Sequence, residues 1–95
     1  MGTYIILSRV SPDALRGPQS LRKLADEVSA KVRSECPGVT WKASYGTLGR
    51  FDVVDIVESD DLKQIQKVST VLRTYGHEVT ETLVATPWKE FISSL

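Results

Sequence analysis

Hydrophobic and polar positions along the chain follow two kinds of pattern. Apolar residues three and four positions apart run through "QSLRKLADEVSAKVRSE" (19–35) and "DLKQIQKVSTVLRTY" (61–75). This spacing is typical of helices that bury one face. Shorter runs rich in apolar and β-branched residues are typical of strands. The strands are predicted over 3–10, 38–45, 50–58 and 77–86.

Residues with strong local preferences stand at the ends of the two helices. Pro18 suits the first turn of the first helix, and Pro37–Gly38 is predicted to end it. Ser59 or Asp60 is a suitable N-cap for the second helix, and Gly76 stands at its C-terminal end. The element order is therefore predicted to be β-α-β-β-α-β.

This order predicts an α+β fold. Two right-handed βαβ crossovers give a ferredoxin-like sandwich, in which a four-stranded antiparallel sheet carries both helices on one face. Pro87 begins a short C-terminal helix with an apolar side, and the sequence leaves open whether this helix packs on its own chain or on a partner. The 95 residues are predicted to form a single domain, 1–95.

The third strand decides which residues face the helices. Along "RFDVVDIVE" (50–58), Val53, Asp55 and Val57 lie on one side, and Val54 and Ile56 lie on the other. A carboxylate under the helices would be costly to bury. Val54 and Ile56 are therefore predicted to face the helices, with Asp55 on the side of the sheet that the helices leave open.

The open side is predicted to be apolar, and a second copy is predicted to cover it. The first strand adds either Tyr4 and Ile6 or Ile5 and Leu7 to this side. Burying four large apolar side chains contributes about 6 to 12 kcal/mol before the free energy lost on association is subtracted. The sequence therefore predicts a homodimer or higher oligomer.

Composition narrows the class of protein. Twelve basic and twelve acidic residues balance, so charge gives no reason to expect a nucleic-acid or membrane partner. The only cysteine, Cys36, favours a reducing, cytoplasmic location, and one Cys and one His far apart make a poor metal site. No cofactor motif is present, and the first residues lack the basic leader of a signal peptide.

Three stretches together resemble the GYD domain family: "YIILSRVSPDALRG" (4–17), "YGTLGRFDVVDIVESDD" (45–61) and "TETLVAT" (80–86). The resemblance implies a fold like that of dimeric α/β-barrel proteins, but no particular reaction. Phe51 stands where the family motif has tyrosine, so a role that needs a phenol is not expected there.

The hairpin supplies the candidate functional residues. Asp55 interrupts an apolar strand, and burial would raise its pKa unless Arg50, Arg9 or a hydroxyl pairs with it. Perturbed acids in cavities often mark functional sites. The alternative for Asp55 is a paired or rim-exposed aspartate that holds the dimer in register. Asp52 is also a candidate, but turn architecture explains it equally well: Gly46 and Gly49 permit positive φ, and Asp52 can accept hydrogen bonds from turn amides.

Aromatic residues and one histidine complete the candidate ligand-binding set. Tyr4 and Tyr45, together with Trp41, either line an apolar cavity or fill the core, and core filling is the more common role. His77 could transfer a proton or bind haem, but a lone histidine is weak support for either role, and a surface position at the start of a strand is the favoured interpretation. The candidate site residues are Tyr4, Tyr45, Arg50, Asp52, Asp55 and His77.

Three functions remain open. The favoured hypothesis is a small-molecule-binding oligomer that holds a partly apolar ligand between the open sheet face and its partner chain, or beneath the hairpin. The alternative is a cofactor-independent oxygenase or isomerase in which the enclosed acid abstracts a proton. RNA binding, which this element order also permits, is disfavoured because "VVDIV" (53–57) lacks stacking aromatics and basic residues.

Overall fold

The computed structural model describes residues 2–12, 17–76 and 78–95. These ranges contain four strands and three helices in the predicted order, including the short C-terminal helix. Their bounds are β1 Gly2–Arg9, α1 Pro18–Glu35, β2 Thr40–Gly46, β3 Val53–Ser59, α2 Leu62–Thr74, β4 Val79–Ala85 and α3 Trp88–Ser93.

The strands form one antiparallel sheet in the order β2-β3-β1-β4. The two central strands, β1 and β3, carry the buried sheet residues, and α1 and α2 pack against them from one side. This is the predicted ferredoxin-like arrangement. The core consists of side chains from both layers: Ile6, Val28, Val32, Cys36, Val57, Ile65, Val68, Val71 and Leu72.

The second helix begins later than predicted. Asp61 is the N-cap of α2, and its carboxylate accepts a hydrogen bond from the Lys63 N–H at 2.9 Å. The prediction of Ser59 or Asp60 was wrong because β3 continues through Ser59. The Ser59 side chain is buried, and its hydroxyl donates to the Gly38 carbonyl at 2.8 Å, which ties the end of β3 to the start of β2.

The prediction for the two sides of β3 was also wrong. In the β1–β3 register, Ile6 is opposite Asp55 and Tyr4 is opposite Val57. Opposed residues share a face, and Ile6 and Val57 belong to the helix-covered core. Asp55 therefore lies under the helices, together with Val53 and Val57. The site described below explains how the fold accommodates this carboxylate.

A β-bulge changes the register of β2. Trp41 pairs with Val57, whereas Ala43 pairs with Ile56, so Lys42 is an additional residue on β2. Trp41 therefore lies on the helix side, while Ala43 is on the opposite side. Unbroken alternation along β2 would have placed both residues on one side, and the bulge is the reason that they lie on opposite sides.

The face of the sheet opposite the helices is called the open face here. Its central residues are Ile5 and Leu7 from β1 and Val54 and Ile56 from β3, none of which is fully buried. The centre of the open face is therefore apolar, as predicted. The residues that β3 contributes to it are Val54 and Ile56, which the sequence predicted to face the helices. Leu83 of β4 extends it, with 46% of its surface exposed.

The C-terminal helix α3 projects from the rest of the chain. Trp88 and Phe91 stack with ring centroids 5.8 Å apart, and both are exposed, as are Ile92 and Leu95. The helix does not bury these side chains against α1 or α2. Within the described ranges, no helix combines the length and the apolar character needed to cross a bilayer.

Candidate functional site

A cavity of about 800 Å³ lies between α1 and the sheet. It exists because the first half of α1 stands away from the strands: Leu21, which belongs to the apolar stripe of α1, is 37% exposed. The helix side of the cavity is mostly apolar. Its apolar lining residues from α1 are Leu21, Leu24, Ala25, Val28 and Val32, and Ser29 and Arg33 of α1 also line it. The acidic groups come from the sheet side.

Asp55 is the central polar residue of the cavity. It is only 6% exposed, and its Oδ1 accepts hydrogen bonds from Ser44 Oγ at 2.6 Å and from Trp41 Nε1 at 3.3 Å. Trp41 Nε1 also donates to Ser44 Oγ at 2.7 Å. These contacts form the Trp41–Ser44–Asp55 hydrogen-bond chain. It offsets part of the cost of burying a carboxylate, which is why Asp55 can lie under the helices.

The same environment changes the acidity of Asp55. Burial raises the pKa of its carboxyl group, and the hydrogen bonds from Ser44 and Trp41 counteract part of that rise. Of the three partners considered from the sequence, Arg50 and Arg9 do not contribute to the change in the pKa of Asp55. The hydroxyl alternative was correct, since Ser44 provides the shortest contact.

Glu78 is a second acid in the cavity. Glu78 immediately precedes β4, and its backbone N–H donates a hydrogen bond to the Leu72 carbonyl at 3.3 Å. Burial, and after it the charge of Asp55, raise the pKa of Glu78 to about 7, while the Ser8 hydroxyl counteracts part of the rise. A Cβ at Gly76 would lie 2.6 Å from the Leu72 carbonyl oxygen, so glycine is required beside this acid.

Ser8 lies behind the two acids. Its side chain is fully buried on the helix side of β1, opposite Val53 of β3. The hydroxyl is close enough to Glu78 to affect its pKa, but the two groups do not adopt hydrogen-bond geometry. Ser8 Oγ is therefore a buried polar atom without a partner among the described residues, which is uncommon in folded proteins.

Cys36 lines the opposite part of the cavity, after the end of α1. Its side chain is buried, and burial raises the pKa of the thiol, although Lys67 lowers it. A raised pKa keeps the sulfur protonated and weakly nucleophilic. In the described part of the chain, no three His, Cys, Asp or Glu side chains are grouped as metal ligands.

Of the candidate site residues that the structure describes, Asp55 alone lines the cavity. Tyr4 packs against the core cluster, whereas Tyr45 lies on the open face and is 58% exposed. Arg50 is exposed, with its guanidinium 5.7 Å from the centre of the Phe51 ring. His77 lies outside the described residues.

Asp52 has a structural role in the turn. Its carboxylate accepts a hydrogen bond from the Val10 N–H at 2.8 Å, and its own N–H donates to the Ser8 carbonyl at 2.9 Å. The Thr47 N–H donates to the Asp52 carbonyl at 2.9 Å. Asp52 thus fixes the hairpin turn to the end of β1. Of the two turn glycines, only Gly49 has a positive φ, 145°.

The sequence prediction did not include Glu78, Ser44 or Ser8, and it assigned Trp41 mainly to the core. Trp41 and Ser44 lie on the same side of the sheet as Asp55 because of the bulge in β2, which no local sequence pattern reveals. Glu78 resembles any exposed acid at the start of a strand. Its position in the cavity results from the close approach of Gly76 to the end of α2.

Comparison with known proteins identifies the family. The model of the GYD domain matches residues 4–95, nearly the whole chain. The chain belongs to the GYD domain family. A relative from Thermus thermophilus, named glutamine synthetase and cystathionine beta-lyase binding protein, is 28% identical over 99 residues, and the match covers 100% of this chain and 99% of the relative's own length.

Solved structures share the fold of this GYD domain. FFRP-DM1 aligns over 90% of this chain and 100% of its own, with a TM-score of 0.62 and 25% identity. A hypothetical protein of Pyrococcus horikoshii covers 92% of both chains, with a TM-score of 0.59 and 25% identity. A Caulobacter crescentus protein assigned as an antibiotic biosynthesis monooxygenase covers 90% of this chain and 92% of its own, with a TM-score of 0.53 and 16% identity, which indicates the fold alone.

Proposed function

We propose that this GYD domain binds a small, partly apolar molecule in the cavity between α1 and the sheet. The observation that carries the proposal is a roomy apolar cavity with two acids, Asp55 and Glu78, on its sheet side. Ligand sites are commonly concave, mostly apolar and equipped with a few polar groups that orient the ligand. The proposal moves the ligand from the sheet–partner interface to the helix side, because Asp55 lies there.

A fluorescence titration tests this proposal. The chain has two tryptophans, of which Trp41 lines the cavity and Trp88 lies on α3. A Trp88→Phe protein leaves Trp41 as the single reporter, and 1-adamantanol serves as a compact apolar probe. We expect a saturable change in Trp41 emission.

Two substitutions on α1 make the test specific. Ala25 lines the cavity, whereas Ala30 is exposed and does not line it. Phenylalanine at position 25 would occupy space that the probe needs, so Ala25→Phe should weaken binding at least tenfold, while Ala30→Phe should leave it unchanged. Equal affinity in both variants, or no saturable change in the parent protein, would refute the proposal.

Proton abstraction is the alternative function of the same cavity. Asp55 supports it, because a desolvated carboxylate with a raised pKa is a better base near neutral pH. Asp55→Asn should then abolish turnover of an activated substrate while the probe still binds. Full turnover in that variant would eliminate the alternative.

We also propose that a second copy of the chain covers the open face. A compact monomer of 10.5 kDa exposes about 5,400 Å², whereas this chain exposes 6720 Å². The excess of about 1,300 Å² exceeds the ~800 Å² that each partner buries in a typical interface. The apolar centre of the open face, including Ile5 and Ile56, supports its use as that interface.

Sedimentation measures this association directly. At micromolar concentration we expect a particle of about twice 10.5 kDa. Ile56→Glu, which puts a charge at the centre of the open face, should give the monomer. Gln66→Glu introduces the same charge on the exposed surface of α2 and should leave the dimer intact. A parent protein that sediments as a monomer would overturn the assembly.

The relative's name suggests a protein-binding role, and α3 offers a suitable surface. Its exposed Trp88 and Phe91 form an apolar pair that does not pack on the described core of its own chain. Aromatic residues of this kind often dominate protein interfaces. We propose that α3 docks on an enzyme partner such as a glutamine synthetase.

The test measures binding of the chain to the glutamine synthetase of the same organism by calorimetry. The Trp88→Ala/Phe91→Ala double variant should lose binding, whereas Ala30→Phe should retain it. Equal binding by the double variant would exclude α3 as the docking segment.

A further inference from the structure

We infer that the ligand of the α1–sheet cavity carries an ammonium group, held between Asp55 and Glu78, on an apolar body. This inference rests on the proposed function and specifies its ligand class. Among the described residues, no Lys or Arg forms a salt bridge with either acid, although both line the same cavity. An ammonium ion would supply the missing positive charge.

The hydrogen-bonding groups of the site favour this head group. Ser44 and Trp41 donate to Oδ1 of Asp55, and no described residue donates a hydrogen bond to its Oδ2. Both carboxylates line the cavity and are hydrogen-bond acceptors, and an ammonium group has three N–H donors to offer them.

The apolar lining residues indicate the chemical character of the body of the ligand. Leu21, Leu24 and Ala25 of α1 and Leu72 of α2 present hydrocarbon to the cavity, which suits an aliphatic or aromatic body. Among the described residues, Arg33 is the positively charged side chain that lines the cavity. It is exposed on α1, and its guanidinium donates a hydrogen bond to Ser29 Oγ of the same helix at 2.9 Å.

The uncommon feature is the combination of these groups rather than any one of them. A cluster of acids on a surface is solvated and needs no ligand. Here Asp55 is almost fully buried, Glu78 is half-buried, and both line an apolar cavity in which no described Lys or Arg forms a salt bridge with them. Since buried polar groups are normally paired, a donor-rich ligand completes the arrangement.

Three probes with the same body and different head groups test the inference: 1-adamantylamine, 1-adamantanol and 1-adamantanecarboxylate. Titrated against the Trp88→Phe protein at pH 7.5, the amine should bind at least tenfold more tightly than the alcohol. The carboxylate should bind more weakly than the alcohol, because the acids repel it.

Substitutions of the acids locate the preference. Glu78→Gln and Asp55→Asn should each bring the affinity of the amine close to that of the alcohol, while the affinity of the alcohol changes by less than twofold. Glu27→Gln, an exposed acid on α1 outside the cavity lining, should retain the full preference. Unchanged amine preference in Glu78→Gln and Asp55→Asn would overturn the inference.

The outcomes separate this inference from the proposed function. Equal binding of amine and alcohol, abolished by Ala25→Phe, would overturn the ammonium head group and leave the cavity as a binding site. Failure of all three probes to bind would overturn the proposed function and the ligand class together.

Discussion

Replacement of Glu78 by glutamine should remove a pH dependence of stability from this protein. In the folded chain, burial and the charge of Asp55 raise the pKa of Glu78 from 4.5 to about 7. Between these two pH values the folded state holds a proton that the unfolded chain has lost. The free energy of unfolding therefore decreases as pH rises through this window. The stability contributed by the raised pKa is fully present below pH 4.5 and is lost above about pH 7.

The size of the effect follows from the difference in pKa. One pKa unit corresponds to about 1.36 kcal/mol, so the full change corresponds to about 3.4 kcal/mol. Glu78 is only half-buried and faces a cavity that opens to water, so solvent screening reduces this value. We expect Glu78→Gln to match the parent protein at pH 4.5 and to be about 1–2 kcal/mol more stable at pH 8.

Urea unfolding at a series of pH values measures this difference. Protein concentration is held constant, because association would add its own contribution to stability. Glu27→Gln, on the exposed side of α1, serves as the matched control and should follow the parent protein at every pH. If the difference between Glu78→Gln and the parent protein were the same at pH 4.5 and pH 8, the electrostatic description of the cavity would be wrong.

Three further substitutions test other parts of the structure by urea unfolding. Ser44→Ala removes the 2.6 Å hydrogen bond to buried Asp55. It should lower the free energy of unfolding by about 1–3 kcal/mol at pH 8, and by less at pH 4.5, where the carboxyl carries less charge. Equal losses at the two pH values would contradict this. Ile6→Ala, at a fully buried core position, should lower the free energy of unfolding by about 2–5 kcal/mol. Leu48→Ala, in the exposed turn, should change it very little. Similar losses in the two variants would contradict the assigned core. Gly49→Ala places a side chain at a φ of +145° and should lower the free energy of unfolding by about 1 kcal/mol or more. Gly46→Ala, in β2, is the control and should cause a smaller loss. Unchanged stability of Gly49→Ala would count against the turn geometry.

The sequence by itself determined the element order, the ferredoxin-like topology and the apolar character of both sheet faces. These properties depend on patterns within single elements. The stripe of Val28 and Val32 in α1, the stripe of Ile65, Val68 and Leu72 in α2, and Pro18 at the helix start are all local signals. Local signals survive folding because each element must bury its own apolar side.

Only the tertiary structure decided which side of β3 faces the helices. Both sides carry valine or isoleucine, so hydrophobicity alone does not distinguish them, and the cost of burying Asp55 suggested the wrong one. That cost is lowered by Ser44 and Trp41, which reach Asp55 through a bulge in β2, and by a cavity that keeps part of the site near water. Glu78 joins the site from the position just before β4, 23 residues further along the chain. Contacts between distant segments determine such a site, and no pattern within one segment contains that information.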